Sequence, residues 1–273
     1  MGRLDGRVVF ITGAARGQGR SHALHAAEEG AAVIGVDICE QLESVHYPMP
    51  SVADLDETAK QVADRGGRMV ARVADVRDHA TLAAALAEGV EEFGHVDAVV
   101  ANAGVMTHAI PSSESGARAW EDSLAVMLTG VWNTLQVCVP AIREHGRGGS
   151  IVITSSSAGI RPAPTDLSGG HDGYVAAKFG VVGLMRTYAL GLAAERIRVN
   201  TVHPTGVATP MVVNDFFRDY LEANPGVAAA SQNPLPVTML EPSDVSKAVV
   251  FLLSDDARWV TGSEYRVDAG LCL

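Results

Sequence analysis

The stretch "VVFITGAARGQGR", residues 8–20, decides the fold of this chain. Its first part, Val8–Thr12, is mostly apolar and predicts a buried strand, and a helical pattern follows from Gly19 to about Glu29. Glycines between a strand and a helix permit a tight turn and let a pyrophosphate approach backbone N–H groups at the positive end of the helix. Tight turns also use glycine for structural reasons, so the position of the loop matters more than its composition. The stretch predicts a dinucleotide site in an α/β fold.

The second predicted strand, Ala32–Asp37, ends on a carboxylate. A carboxylate at this point can accept hydrogen bonds from both hydroxyl groups of an adenosine ribose, and it repels a 2′-phosphate. Arg16 in the glycine loop could also serve NADP, but no arginine or lysine directly follows Asp37. A solvated acid at a strand end is the alternative interpretation. We therefore predict that the cofactor is NAD.

Short apolar runs alternate with helical patterns along the rest of the chain. The predicted strands are Val8–Thr12, Ala32–Asp37, Arg68–Val76, Asp97–Gly104, Ser150–Ser157, Ile197–Pro204 and Ser263–Gly270. The predicted helices after the first are about Asp54–Arg65, Asp78–Phe93, Ala119–His145, Tyr174–Glu195 and Pro242–Leu253. Apolar strands that alternate with helices indicate a mostly parallel, seven-stranded sheet with helices on both faces. No linker divides the chain, so we expect a single domain over residues 1–273.

Composition narrows the class of protein. The net charge of −11 argues against nucleic acid and against an anionic membrane surface as partners. The apolar runs are about as long as strands, so the sequence predicts no membrane span. Three distant cysteines and a start without the apolar centre of a signal peptide favour a reducing cytoplasm. Although His22 and His25 lie three residues apart, no matching cluster of carboxylates or cysteines accompanies them, so we expect no metal site.

A catalytic group is predicted near the carboxyl end of the fifth strand. "YVAAK" places Tyr174 and Lys178 four residues apart, on one face of a helix. A phenol titrates near about 10, and a nearby ammonium group favours the phenolate form that a base requires. The serine cluster "TSSSAG" ends the fifth strand, where open α/β sheets bind their ligands.

Taken together, these motifs resemble the short-chain dehydrogenase/reductase family over nearly the whole chain. The motifs are "TGAARGQG" (12–19), "ADV" (74–76), "NAG" (102–104), "SSSAG" (155–159), Tyr174 with Lys178, "HPTGVATPM" (203–211) and the final "VTG…VDAG". The resemblance implies a single Rossmann domain in which Tyr174 is general acid/base and Lys178 binds ribose and lowers the pKa of the tyrosine. It makes Ser156, rather than Ser155 or Ser157, the serine that polarises the substrate oxygen.

The resemblance also implies a set of cofactor contacts. Asp75 would contact adenine, Asn102 would line the cofactor or support the sheet, and Thr209 would meet the nicotinamide carboxamide. The full predicted set is Gly13, Arg16, Gly17, Gln18, Gly19, Asp37, Ile38, Asp75, Val76, Asn102, Ala103, Gly104, Tyr174, Lys178, Pro204, Gly206, Val207 and Thr209.

The segment after Asp37 is too long for its place. Roughly sixteen residues, with Pro48 and Pro50, precede the next helical pattern, whereas such loops usually have about 2–6 residues. An insertion at about 38–55 resembles the subgroup linked to the redox peptide mycofactocin, which includes carveol dehydrogenase-like proteins. That resemblance implies tightly held NAD, reoxidised in place by an external redox carrier. A loop here could close over the adenosine end and slow release; a surface insertion without cofactor contact is the alternative.

Three functions remain open from the sequence. The first is oxidation of a hydrophobic secondary alcohol to a ketone with retained NAD. The second is an ordinary dehydrogenase with exchangeable NAD, acting on a sugar, steroid or 3-oxoacyl substrate. The third is a non-catalytic NAD-binding sensor. The resemblance further implies a homotetramer built on the long helices and the last strand.

Several features near the site depart from the family or have two interpretations. Met127 replaces an asparagine that in many members bends the long helix and holds a proton-relaying water, so Met127 either lowers turnover or is compensated by backbone groups and water.

Ser156 and Tyr174 are eighteen residues apart, which suggests a small insertion at "PAPTDLSGG" (162–170). His171 could reach substrate, although "SGGHDGY" (168–174) is typical of a flexible loop. Phe216–Pro225 resembles a helix of a substrate lid or a subunit contact. Candidate pocket residues, which could equally belong to the core, are Met106, Trp132, Ile160, Met211, Phe216 and Phe217.

Overall fold

The computed structural model describes residues 2–107, 113–162 and 168–273, with residues 113–115 described as backbone only. Seven strands form one sheet in the order β3-β2-β1-β4-β5-β6-β7, and every neighbouring pair is parallel. The strands are β1 (Val8–Thr12), β2 (Ala32–Asp37), β3 (Arg68–Val73), β4 (Ala98–Ala101), β5 (Gly149–Thr154), β6 (Ile197–Pro204) and β7 (Glu264–Val267). The predicted seven-stranded sheet is confirmed, and it is wholly parallel.

Helices cover both faces of the sheet. They are α1 (Gly17–Glu28), α2 (Val52–Asp64), α3 (His79–Phe93), α4 (Ser113–Leu124), α5 (Gly130–Glu144), α6 (Gly169–Leu192), α7 (Asp215–Ala223), α8 (Pro225–Ala230) and α9 (Pro242–Leu253). One buried apolar cluster joins the sheet to α1, α2 and α9, and a second joins it to α3, α5 and α6. The burial of apolar side chains on both faces explains why the central strands lack an alternating pattern.

Four strands end earlier than the sequence predicts. Residues 74–76, 102–104, 155–157 and 268–270 belong to motifs but leave the sheet beyond β3, β4, β5 and β7. Apolar content alone could not mark these ends, since the motif residues continue the strand pattern. Beyond β3, β4 and β5 the chain lines open space at the carboxyl edge of the sheet.

The long helix predicted over Ala119–His145 is two helices. A π-helical turn, Ala125–Thr129, joins α4 to α5, with the buried side chain of Met127 at its centre. Such turns insert an extra residue into a helix and occur frequently at functional sites. The π-helical turn therefore lies at the position where the family resemblance implies an asparagine and this chain has Met127.

The prediction that "SGGHDGY" forms a flexible loop is wrong where the chain is described. Helix α6 begins at Gly169, and the Ser168 side chain caps it by accepting a hydrogen bond from the His171 N–H. A Cβ on Gly170 would lie only 1.7 Å from the carbonyl oxygen of Thr107. The glycines therefore serve close packing rather than flexibility. The rest of the predicted insertion, residues 163–167, lies outside the described residues.

Two helical stretches are long and apolar enough to cross a membrane by length and composition alone. They are Gly116–Glu144 and Gly169–Glu195. Both supply buried side chains to the apolar cluster on one face of the sheet. Long core helices of globular proteins pass the same test, so this finding is weak support for a membrane span.

His22 lies at the interface of α1 and α9 rather than in a metal site. Its side chain is 1% exposed, and its Nδ1 lies 2.8 Å from Ser246 Oγ. Within the described ranges, no group of three or more His, Cys, Asp or Glu side chains could hold a metal ion. Burial lowers the pKa of His22 to about 3, so this imidazole is neutral in the folded chain.

The buried His22 makes stability pH-dependent. Since the folded-state pKa lies below the unfolded value, the unfolded chain binds the proton first as the pH falls below about 6.5. We expect the free energy of unfolding to fall by up to about 1.4 kcal/mol per pH unit between about pH 6.5 and 3 from this group alone. In denaturant titrations, His22→Asn should flatten that slope, whereas the exposed control His79→Asn should not. Equal slopes in both variants would contradict the assignment.

Candidate cofactor site and active site

An open pocket, called the cavity below, lies at the carboxyl ends of β1, β2, β3 and β4. The predicted cofactor residues that line it are Gly13, Arg16, Gly17, Gln18, Gly19, Asp37, Ile38, Asp75, Val76, Asn102, Ala103, Gly104 and Thr209. Motifs that are distant in the sequence therefore meet around one space.

The glycine loop fits a pyrophosphate. Gly13 and Gly17 have φ angles of 70° and 58°, in the region that favours glycine, and a Cβ on Gly19 would lie 1.9 Å from the Gly13 carbonyl oxygen. The first turn of α1 has no acidic residue, and no side chain caps its N–H groups. Those N–H groups lie beside the cavity and can serve a bound anion.

Asp37 ends β2 inside the same cavity. Its side chain is buried, with Oδ2 accepting a hydrogen bond from the Ala15 N–H at 3.0 Å and Oδ1 accepting one from the Cys39 N–H at 3.4 Å. Burial raises the pKa of Asp37, while these N–H groups and the nearby Arg16 oppose the rise. The carboxylate is thus held rigidly by backbone groups rather than solvated, which fits the ribose contact that the sequence predicts.

Residues 38–50, called the insertion loop below, lie against this cavity. Its lining includes Leu42, Tyr47, Met49 and Pro50 from the loop, and the side chains of Leu42 and Tyr47 are buried. The chain becomes helical again at Val52, where Ser51 caps α2, so the insertion is slightly shorter than predicted. Residues from both ends of the insertion loop line the cavity, so the contact extends beyond the region of Asp37.

Arg16 explains how the insertion loop is held. Its guanidinium donates a hydrogen bond to the Pro48 carbonyl oxygen, which ties the glycine loop to the insertion loop. Within the loop, Gln41 Nε2 donates to the Val45 carbonyl oxygen at 2.8 Å, and the Met49 N–H donates to Gln41 Oε1 at 2.9 Å. The sequence suggested Arg16 as a possible partner of a 2′-phosphate, whereas the structure directs it to the insertion loop.

Asn102 and Asp75 border the cavity and also make structural bonds. The Asn102 N–H donates to Thr12 Oγ1 at 3.0 Å, and its Nδ2 donates to the Thr12 carbonyl oxygen at 3.1 Å, so it joins β4 to β1. Asp75 forms an ion pair with Arg77 at 2.7 Å. Both alternatives for Asn102, lining the cofactor site and supporting the sheet, agree with its position.

The three predicted catalytic residues come together at the end of β5. Ser156 hydrogen-bonds the side chain of Tyr174, which lowers the pKa of the phenol. Ser155 instead donates to the Lys178 carbonyl oxygen at 2.9 Å and serves to hold α6. Ser157 begins a short 3₁₀ turn. Among the serines of the cluster, the position of Ser156 therefore fits the predicted role best.

Lys178 lies behind Tyr174 and outside the cavity lining. Its Nζ donates to the Thr154 carbonyl oxygen at 2.8 Å and lies 5.6 Å from the centre of the Tyr174 ring. Burial lowers the pKa of Lys178 to about 8. Burial also raises the pKa of Tyr174, and the hydrogen bond with Ser156 opposes that rise. In the chain alone the phenol is thus protonated at neutral pH, whereas the sequence argument predicted that the ammonium group would favour phenolate.

His203 is a supporting residue that sequence reasoning left without a role. It is fully buried in β6, with Nδ1 2.9 Å from the Ser156 carbonyl oxygen and Nε2 2.8 Å from Thr201 Oγ1. Burial lowers the pKa of His203. The sequence places His203 near the carboxyl end of β6, and this position could have suggested a supporting role. Only the strand order shows that β6 lies beside β5, which carries the serine cluster.

A wide cleft of about 2,080 Å³ opens beside Ser156 and Tyr174. Predicted residues that line it are Tyr174, Pro204, Gly206, Val207 and Thr209 from the cofactor set, and Met106, Met211 and Phe217 from the pocket set. His171 also lines the cleft. Trp132, Ile160 and Phe216 are not part of this lining, so those pocket candidates are not supported. Gln18, Thr209 and Met211 border both spaces, so the cavity and the cleft meet there.

Comparison with known proteins identifies the family. The family model described as enoyl-(acyl carrier protein) reductase matches residues 13–272. A solved short chain dehydrogenase from Mycobacterium paratuberculosis bound to NAD is 41% identical, with a TM-score of 0.91 and 99% of each chain covered. This chain belongs to the short-chain dehydrogenase/reductase family. The predicted family and the predicted single-domain Rossmann fold are both confirmed.

This dehydrogenase/reductase is also similar to two carveol dehydrogenases. It is 46% identical to the (−)-trans-carveol dehydrogenase of Rhodococcus erythropolis over 282 residues, with 100% of each chain covered. The solved carveol dehydrogenase from Mycobacterium avium, in complex with NAD, is 43% identical, with a TM-score of 0.92 and 99% of each chain covered. The predicted resemblance to carveol dehydrogenase-like proteins is therefore confirmed.

This dehydrogenase/reductase departs from the family pattern at Met127. Its side chain is 1% exposed, and its Sδ would lie 3.7 Å from a Cβ placed on Gly104. Methionine cannot donate a hydrogen bond. The π-helical turn is present without asparagine, and Lys178 keeps a backbone acceptor in Thr154. These contacts favour the interpretation that backbone groups compensate for Met127.

We expect Met127→Asn to change kcat by less than about twofold, while lowering the free energy of unfolding by about 1–3 kcal/mol because a polar amide enters an apolar core. Steady-state rates, with chemistry shown to be rate-limiting, and denaturant titrations of both proteins test this. A several-fold increase in kcat would show that Met127 limits turnover, and the compensation argument would then be wrong.

Proposed function

We propose that this protein oxidises a hydrophobic secondary alcohol to its ketone and keeps NAD bound between turnovers, with an external acceptor reoxidising the cofactor in place. The observation that carries this proposal is the insertion loop against the cofactor cavity. Leu42, Val45 and Tyr47 are buried there, and Arg16 bonds the loop to the glycine loop. A cofactor beneath an anchored loop can leave only when the loop moves, which slows its dissociation.

The broader activity has direct support. Asp37 and the glycine loop predict an NAD-dependent enzyme. Three relatives agree with this prediction: two are carveol dehydrogenases, and two, including one of those, are solved with NAD. The predicted enzyme class, an NAD-dependent oxidoreductase, is confirmed, and so is the predicted cofactor, NAD. Names among the relatives also include a 3-oxoacyl-[acyl-carrier-protein] reductase, so family membership alone does not define the substrate.

The cleft supports a hydrophobic substrate. Apart from the catalytic pair, its lining is mainly apolar and includes Met106, Met211, Phe217, Leu221, Val227, Leu235, Val237 and Met239. Among the described residues of that lining the charged side chain is Arg161, which donates to the Leu271 carbonyl oxygen at 2.9 Å. An apolar wall around Ser156 and Tyr174 favours a ring or chain alcohol over a sugar.

The chemistry follows from the positions of these residues. NAD, when bound, supplies a nicotinamide ring that accepts hydride from the alcohol carbon. Ser156 would hold the substrate oxygen. Tyr174 would take the hydroxyl proton in its phenolate form, which the positive charges of Lys178 and of bound NAD⁺ would favour over the protonated form of the chain alone. Lys178 adds positive charge behind the ring and is positioned to bind the nicotinamide ribose, while His203 fixes the backbone of Ser156. The residues of this chain thus position the alcohol and accept its proton.

The assembly and the location are also proposals. Exposed apolar side chains lie on the long helices, at Trp132, Phe179 and Leu190, and near the last strand, at Trp259 and Tyr265. Strand β7 is an edge strand of the sheet and offers unpaired backbone groups. These features support a homotetramer. Free cysteines at three described positions support a cytoplasmic location.

An assay with two electron acceptors separates the three candidate functions. Purified protein is tested with (−)-trans-carveol, with added NAD alone and with an artificial two-electron acceptor alone. Turnover that needs the acceptor but no added NAD supports the proposal. Turnover that needs only free NAD supports an ordinary dehydrogenase, and NAD binding without oxidation of any alcohol supports a sensor. A mycofactocin-like peptide is the natural acceptor to test next.

A further inference from the structure

The insertion loop makes two contacts near the substrate cleft in addition to lining the cofactor cavity. In the first, the Met106 N–H donates a hydrogen bond to Tyr47 Oη at 3.2 Å, and Met106 lines the cleft. In the second, the His46 ring lies 5.0 Å from the Phe216 ring, with 35° between the ring planes. Phe216 belongs to α7, whose next residue, Phe217, lines the cleft.

The two contacts differ in burial and in chemistry. Tyr47 is 6% exposed, and its ring also lines the cofactor cavity. Its Oη accepts the hydrogen bond of the Met106 N–H at a part-buried position. His46 is exposed, and its ring packs against that of Phe216, the residue before the cleft residue Phe217 in α7. Both contacts come from consecutive residues of one loop.

The loop has a separate attachment that does not involve the cleft. Ser44 Oγ donates to Asp122 Oδ2 at 2.6 Å, and Glu43 pairs with Arg118, both partners belonging to α4. Neither α4 partner lines the cavity or the cleft. The Glu43 side chain is 80% exposed, so it provides a matched control within the same loop.

We propose that Tyr47 and His46 are positioning residues for the alcohol, Tyr47 acting through the cleft residue Met106 and His46 acting through Phe216, which precedes the cleft residue Phe217 in α7. The inference rests on the proposed function, in that it assigns an alcohol to this cleft. A wall that loses a restraint holds the bound alcohol less firmly, which weakens substrate binding and so raises the KM. The insertion loop thus has two tasks, retaining the cofactor and shaping the substrate site.

Tyr47→Phe separates these tasks because it keeps the ring in the lining of the cofactor cavity and removes only the acceptor for the Met106 N–H. In NAD-loaded protein we expect the KM for (−)-trans-carveol to rise about tenfold, with kcat changed less than about threefold. The rate of NAD dissociation should stay within about twofold of the unsubstituted protein. His46→Leu should also raise the KM, and Glu43→Gln should change neither quantity.

Amide hydrogen exchange tests the same contact without any alcohol. A peptide that contains Met106 should exchange about tenfold faster in Tyr47→Phe than in the unsubstituted protein, because one restraint on its N–H is lost. Unchanged exchange, or an unchanged KM for carveol, would overturn the inference. If the unsubstituted protein oxidises no alcohol, the proposed function fails, and the exchange rate alone still decides whether Tyr47 restrains this wall.

Discussion

Tyr174→Phe is expected to lower kcat for alcohol oxidation by about 10³–10⁴-fold while the protein still binds NAD. A positioned general acid/base contributes about 10²–10⁴-fold to a rate, and no other acid or base of the described cleft lies against Ser156 in the same way. The substitution removes only the oxygen that hydrogen-bonds Ser156. The ring stays, so the packing of α6 should be preserved.

The control for this prediction is Tyr188→Phe, on the same helix. Its oxygen accepts a hydrogen bond from Gln136 Nε2 at 2.6 Å, away from the cleft. Single-turnover rates and bound NAD should be measured for both variants. A Tyr174→Phe protein that retains more than about a tenth of the rate would remove Tyr174 from the role of general base.

Shortening the insertion loop is expected to speed NAD release by about 10²-fold. The variant replaces residues 39–49 by a flexible five-residue turn and keeps Asp37 and the Ser51 cap of α2. It removes the bond from Arg16 to Pro48 and the buried side chains of Leu42 and Tyr47. The loss of about 2–3 kcal/mol of contacts near the cofactor corresponds to this change in rate.

Because the insertion loop contributes to an apolar cluster, the shortened protein could be less stable. Circular dichroism and thermal melting therefore accompany the measurement of NAD dissociation by dilution into an NAD-trapping enzyme. Leu42→Ala offers a smaller change and should speed release by about tenfold. A folded, shortened protein with an unchanged dissociation rate would make the loop a surface insertion without a role in retention.

Much of this site could be predicted because its motifs depend on local geometry. Gly13, Gly17 and Gly19 are required where the backbone turns and approaches itself closely, and Asp37 ends a strand whose apolar pattern is plain. The spacing of Tyr174 and Lys178 on a helix is equally local. Such features appear in the sequence at fixed intervals, so the cofactor, the fold and the candidate catalytic group could all be inferred.

The remaining features depend on contacts between distant segments. Nothing in the composition of the insertion loop shows that Arg16 bonds Pro48 or that Tyr47 reaches Met106. The glycines of "SGGHDGY" have the composition of a loop, yet they lie at the start of a helix because Gly170 packs against the Thr107 carbonyl oxygen. Glycine permits close packing as readily as flexibility, and only the neighbouring chain decides between them.

A single-turnover experiment tests cofactor retention most directly. Protein purified without added NAD is mixed with (−)-trans-carveol in the absence of any electron acceptor, and the absorbance of reduced nicotinamide is followed. The account predicts that close to one reduced nicotinamide forms per chain, stays with the protein through gel filtration, and is reoxidised when an artificial acceptor is added. Protein that arrives without NAD, or that releases the reduced cofactor into the small-molecule fraction, would contradict it.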